Sequence, residues 1–283
     1  MKFFRAVKGG EVSTFLLDGT QVYFLKGDVV RALLDGPSRG EEAAIDVNSL
    51  LARGEWGGWK ITKPLDPPEV WGAGISYEAA RGRYTEDVKD KGMTIYDMVY
   101  NAERPEIFFK ATANRCVGHM EPIRVRSDSS WTLPEPELGV VLSSSGRPLA
   151  FTVVDDVSAR DIESENPLYL PQSKIYAGSC AVGPFLVTPD EVGDPYSLEV
   201  NLRILRGGKE VFSGRTNTSR MRRRIDEQVK YLTRDNPVPD GTLLSTGTGI
   251  VPGRDVDLRE GDVVEITIDK LGTQVTPVVK GKG

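Results

Sequence analysis

Two short apolar runs, ELGVVL at 137–142 and LAFTVVDD at 149–156, are separated only by the turn-forming segment SSSGRP. Runs of that length, bounded by Ser, Gly and Pro, read as two strands that pair across the turn. In a strand, Glu135 and Glu137 project from the same face, because side chains alternate with a period of two. Asp156 ends the second run, so pairing brings a third carboxylate to the same spot. Three carboxylates converging on one point repel each other unless a cation lies between them. With no Cys or His beside them, the hard oxygen donors point to Mg²⁺, Mn²⁺ or Ca²⁺ rather than zinc. Taken alone, the Glu-x-Glu pair fits the wet face of a half-exposed strand better than a metal site. The rest of the chain favours the metal.

The 283 residues, 39% of them hydrophobic, suffice for one large core or for a large domain with a small one. A net charge of −5 with mixed signs gives no nucleic-acid footprint. The basic stretch SRMRRRIDEQVKYLTRD alternates with apolar and acidic positions, as an amphipathic helix over 219–234 would. Cys116 and Cys180 have no spacing signature and are expected as reduced thiols of a cytoplasmic protein. MKFFRAVKGGEVS is strand-like and broken by Gly-Gly, which argues against a signal peptide. No apolar run approaches the roughly 20 residues that a membrane span needs.

Residues 2–25 read as a β-meander turning at Gly9-Gly10 and Asp18-Gly19. DVVRALL and AIDVNSLLARG are short helical patterns, each with an Asp near its start. Pro64, Pro67 and Pro68 then mark a stiff boundary. The chain therefore divides into a small N-terminal α+β domain at 1–68 and a catalytic domain at 69–283. Beyond Val70 short strands dominate, with helices expected at 77–90, 93–103 and 219–234, and RILRGGKEVF reads as a hairpin. The fold class is α+β, mostly β, with a mixed β-roll or β-sandwich as the catalytic domain.

The single histidine, His119, restricts the chemistry. No GxSxG elbow, Walker loop or GxGxxG turn is present, and His119 follows a glycine in a turn where a structural role is expected. Carboxylates, lysines and hydroxyls around a hard metal remain. Such a site suits a 2-oxo acid, whose carboxylate and carbonyl oxygens chelate a cation while its charge steadies an enolate. Lys174, in a polar segment, is either a surface lysine or a group that holds an oxyanion or moves a proton. Lys110 interrupts the apolar run EIFFKAT, so it is paired to a core acid or stands at the edge of the site. Thr248, in TGTG, is either an ordinary turn residue or an anion contact.

Together these residues resemble the fumarylacetoacetate hydrolase superfamily. The matching motifs run in order from about Val70 to Pro277: Phe108-x-Lys110, Glu135-x-Glu137, Asp156-Val157-Ser158-Ala159-Arg160-Asp161, Lys174 and Thr246-Gly247-Thr248. The resemblance implies that Glu135, Glu137 and Asp156 hold Mg²⁺ in a mixed β-roll of that family's type. It places Lys174 and Thr248 on a small-molecule 2-oxo sugar acid, with Ser76, Arg160 and Glu163 as further substrate-binding positions. It also implies a homodimer or homotetramer. Hydrolases of the family carry Asn-Tyr-x-x-His near the start of the domain, whereas this chain reads Ser76-Tyr77-Glu78-Ala79-Ala80. Ala80 stands where their water-activating histidine would be.

Dehydration is therefore expected over C–C hydrolysis, because it needs only proton removal from C3 and departure of the C4 hydroxyl. Lys174 is the first candidate for the base, with Glu106 and Glu78 as alternatives. The charged stretch 85–103 is read as a lid or a fixed surface helix. The rival readings are an acylpyruvate-type hydrolase or oxaloacetate decarboxylase, and a metabolite-binding protein without activity.

Overall fold

The two apolar runs pair as antiparallel strands, Pro136–Leu142 with Pro148–Asp156, in register from Pro136 opposite Asp155 to Leu142 opposite Pro148. The computed structural model describes residues 1–87 and 95–281. Both strands lie in the middle of a large sheet, between Thr242–Thr248 on one side and Leu186–Val187 with Cys180–Val182 on the other. A strand with neighbours on both edges and cover on both faces has no wet side, which is why all seven residues of Pro136–Leu142 are buried. The sheet continues from Thr242–Thr248 through the parallel strand Val70–Gly74 to Glu106–Ala111.

A second sheet takes the order Ile123–Val125, Gly272–Lys280, Asp262–Ile268, Glu199–Arg206 and Lys209–Asn217. Burial alternates strictly along Asp262–Ile268, so one face of that strand is inside and one outside. Leu138, Val140 and Val153 of the first sheet share a core with Leu202, Ile204, Val264 and Ile266 of the second. The result is a mostly β mixed sandwich, with parallel and antiparallel pairs in the same sheet. The expected RGGK hairpin forms with Gly207 and Gly208 at φ 58° and 77°, values a primed turn demands and glycine adopts without strain.

The N-terminal meander Lys2–Lys8, Glu11–Asp18 and Gln21–Lys26 forms as read. Its first strand also pairs with Leu186–Val187 at Lys2 and Phe3, so these strands extend the large sheet. Helices Val29–Asp35 and Val47–Arg53 begin at Asp28 and Asp46, whose carboxylates accept the first free backbone N–H groups. The prolines at 64, 67 and 68 lie between strands Trp59–Thr62 and Val70–Gly74.

The helix expected over 219–234 is shorter and runs from Ile225 to Leu232. Before it, Thr218–Arg220 forms a 3₁₀ turn capped by Asn217, and the backbone N–H of Arg222 turns away to the carbonyl of Ser76. Helices Glu78–Asp87 and Ile95–Asn101 are present, while 88–94, in the middle of the proposed lid, lie outside the described residues. Among the described residues no helix is long and apolar enough to cross a membrane.

Candidate metal and acid–base site

Strand parity builds a three-carboxylate cluster that could hold a metal ion. The N–H of Asp156 donates to the carbonyl of Glu135 at 3.0 Å, so the two residues face each other across the pair. Glu137, two residues on from Glu135, falls on the same face. One carboxylate oxygen from each of the three lies within 4.8 Å of the others, and all three residues are buried.

Each carboxylate is held by protein partners, and Asp156 and Glu135 share Lys174. The Oε2 of Glu137 accepts from the Ser245 hydroxyl at 2.5 Å and the Gly247 N–H at 2.7 Å. The Oδ1 of Asp156 meets Lys110 Nζ at 2.6 Å and its Oδ2 meets Lys174 Nζ at 3.0 Å. Lys174 also donates to Glu135 Oε2 at 2.8 Å and to the Ser158 hydroxyl at 2.6 Å. Three acceptors for three protons fix this side chain as an ammonium.

Burial pushes Glu137 well above the usual carboxylate range, and the charges of Asp156 and Glu135 add to it. Burial also raises Glu135, opposed by Lys174 and reinforced by Asp156. For Asp156 burial acts in the same sense, but Lys110 and Lys174 more than offset it and hold the group below its ordinary value. Three carboxylates with two ammoniums leave one negative charge in a buried site. A divalent cation reverses that sign, and the carboxylate of a 2-oxo acid then brings the total to zero. The donor set, all hard oxygens with no sulfur or imidazole, fits Mg²⁺.

These groups line one pocket, with about 350 Å³ of empty space counted out to its open mouth. Its wall also contains Glu106, Phe108, Glu163, Leu170, Thr248 and Ala80. Glu106 stands over Gly74 in the neighbouring strand, where any Cβ would lie 2.0 Å from its Oε2. Burial among protein atoms, and then the charge of Glu163, push Glu106 up to about 7. Glu163 is itself held by Arg160, Nη1 to Oε1 at 2.7 Å.

The structure thus brings together Glu135, Glu137, Asp156, Lys174, Thr248, Glu106 and Glu163. Arg160 stands behind Glu163 and stacks against Tyr96, its guanidinium carbon 5.3 Å from the ring centre. Two expectations are corrected. Glu78 is not in the pocket; its side chain is 76% exposed and faces Arg81. Ser76 is buried but spends its hydroxyl on the carbonyl of Thr246 at 2.6 Å, which ties the turn after Val70–Gly74 to the Thr-Gly-Thr loop. His119 is structural, its Nε2 on the Leu51 carbonyl and its Nδ1 accepting from the Val275 N–H.

The sequence reading assigned no role to Ser245, whose hydroxyl reaches the carboxylate of Glu137 from the neighbouring strand. It also overlooked Asp155, which accepts the N–H of Glu135 at 2.9 Å and so braces that residue from behind. Its position next to Asp156 in VVDD was the available signal. Tyr96 was missed as well, because it comes from a helix whose packing no strand pattern reveals.

Fold and site together define a class. Residues 71–279 match the family described as fumarylacetoacetate (FAA) hydrolase, C-terminal, and the chain belongs to the fumarylacetoacetate hydrolase family. It is 58% identical to the 2-dehydro-3-deoxy-D-arabinonate dehydratase of Saccharolobus solfataricus, over 99% of this chain and 97% of the relative. A probable 2-keto-3-deoxyxylonate dehydratase of Haloferax volcanii is 47% identical over 75% of this chain and 72% of its own. The solved structure of 2-keto-3-deoxy-D-arabinonate dehydratase complexed with magnesium and 2,5-dioxopentanoate matches with a TM-score of 0.93 at 55% identity, covering 100% of both chains.

Proposed function

We propose that this chain is a Mg²⁺-dependent dehydratase that converts 2-keto-3-deoxy-D-arabinonate to 2,5-dioxopentanoate in oxidative pentose degradation. One observation carries the reading: a single pocket holds the three-carboxylate site and a separate carboxyl poised near neutrality, with Ala80 where a hydrolase would place its histidine. The near-full-length similarity to dehydratases supports it.

Glu135, Glu137 and Asp156 would hold the cation, which when bound supplies Lewis-acid stabilisation of negative charge on the C2 oxygen. Lys174 fixes Glu135 and Asp156 and presents positive charge to the oxo acid. Its three protons are already committed, so Glu106 is the better base. Glu106 takes the C3 proton, and the electron pair of that C–H bond moves toward C2 as the enolate. When the C4–O bond breaks, the same carboxyl returns its proton to the departing hydroxyl, which leaves as water. Thr248 and the Glu163–Arg160 pair line or back the space beside the metal site, where the sugar acid's hydroxyls would lie.

A cytoplasmic homodimer or homotetramer is the assembly we infer, and light scattering of the purified protein measures it. The activity is tested by supplying 2-keto-3-deoxy-D-arabinonate and an acylpyruvate in parallel with Mg²⁺. Aldehyde formation from the pentonate should dominate. Faster release of pyruvate from the acylpyruvate would make the chain a hydrolase instead.

A further inference from the structure

Loss of water does not complete the proposed reaction. It leaves a C3=C4 double bond conjugated to the C2 carbonyl, with C5 still a CH₂OH group. An aldehyde at C5 requires that a proton leave C5 and that one return to C3. The C4–C5 enol so formed then becomes the aldehyde by taking a proton at C4 and losing one from its hydroxyl. Glu106 is occupied at C3 and C4 in the first half, so a second proton acceptor in the same pocket would divide the work.

Glu163 has the features such a group needs. It lines the pocket and is only 9% exposed. Arg160, fully buried, pins one carboxylate oxygen. Among the described residues no hydrogen-bond donor reaches the other oxygen, Oε2. A buried carboxylate oxygen left without a donor is costly, and the residue that carries it lines the pocket. Glu163 is also close enough to Glu106 for its charge to be, after burial, the largest influence raising that group.

We propose that Glu163 is a second catalytic carboxylate, which takes the C5 proton of the dehydrated intermediate and, through Glu106, returns a proton to C3. The C5–H electron pair moves into a C4=C5 bond and the C3=C4 pair moves toward C2. The proton passes from Glu163 to Glu106 and then to C3, so both carboxyls end as they began and no co-reactant is consumed. Arg160 is a positioning residue that holds Glu163 through its other oxygen. This inference rests on the dehydratase reading above.

The test follows two species at once in Glu163→Gln: the conjugated 5-hydroxy-2-oxopent-3-enoate and 2,5-dioxopentanoate. Glutamine keeps the size of the side chain and an acceptor for Arg160. Aldehyde formation should fall by about 10²-fold or more, the scale of a positioned acid–base group. Water loss should fall less, so the conjugated acid accumulates. Equal loss of both steps would make Glu163 a binding or structural residue. Aldehyde formation at the wild-type rate would show that Glu106 serves both carbons, and either result overturns the proposal. Should the variant not fold, wild type given substrate dideuterated at C5 decides. Deuterium at C3 of the product supports internal return, and solvent hydrogen alone at C3 overturns it. Wild type that consumes no pentonate defeats the dehydratase reading itself, a failure separable from the others.

Discussion

At the residue scale, the clustering of three carboxylates was legible because strand parity alone decides which side chains share a face. Glu135, Glu137 and Asp156 obey that parity in the structure. Parity fails directly after Gly74, where Ile75 adopts φ 50°, a left-handed conformation that costs a β-branched residue energy. The chain turns there, so Ser76 and Glu78 could not be placed by alternation, and neither reaches the pocket. Glu106 was weighed only as an alternative base because nothing local shows that burial and Glu163 tune it. The sign of its pH dependence is definite. The carboxylate form accepts the proton, so kcat/KM should rise with pH and level off near 7 or below, since a bound cation lowers the group further. Glu106→Gln should cut kcat by about 10²–10⁴-fold and flatten that limb. A pH–rate profile that keeps its rise in the variant would remove Glu106 from the chemistry.

At the scale of elements, the strand pair Val70–Gly74 and Glu106–Ala111 sets the distance of Glu106 from the metal site. Gly74 faces Glu106 with no room for a methyl group, and Gly72 faces the Phe108 ring in the same way, a Cβ there falling 2.4 Å from Cζ. Glycines at these positions are where the strand makes space for functional side chains. Gly74→Ala is thus expected to push aside the flexible carboxylate rather than the backbone. Activity should drop by about 10²-fold, by analogy with other small misplacements, while the melting temperature changes little. A variant that unfolds, or one with full activity, contradicts this. The helix starting at Ile225 shows the opposite limit. Its basic approach segment had helical periodicity, but the backbone of Arg222 and the guanidinium of Arg223 are drawn to Ser76 and to the carbonyls ending helix Ile95–Asn101. Such long-range partners leave no mark on local pattern.

At the scale of the molecule, the mostly β sandwich was readable from turn chemistry and short apolar runs. The joining of strand Lys2–Lys8 to Leu186–Val187 was not, because pairing between residues so distant in sequence has no local signature. A global consequence follows from Lys174, whose ammonium balances two buried carboxylates. Lys174→Met takes the ammonium away from Glu135 and leaves Asp156 with Lys110, at a cost of about 3–5 kcal/mol or a fall of about 5–10 °C in Tm without metal. Mg²⁺ should then raise the Tm of the variant more than that of wild type, because the cation replaces the missing charge. Equal Mg²⁺ shifts in differential scanning fluorimetry would refute this role.

The central claim is that dehydration depends on one divalent cation held by Glu135, Glu137 and Asp156. It is tested most directly by stripping the purified protein with EDTA and titrating Mg²⁺ while 2,5-dioxopentanoate is measured, for wild type and Glu137→Gln. Wild type should be inactive when stripped and recover along a saturating curve. The variant should need at least about 100-fold more Mg²⁺ or fail to recover, since even a partner outside the ligand set is commonly worth 10–100-fold. Full aldehyde formation by the stripped wild type, or superimposable titrations of the two proteins, would contradict the account.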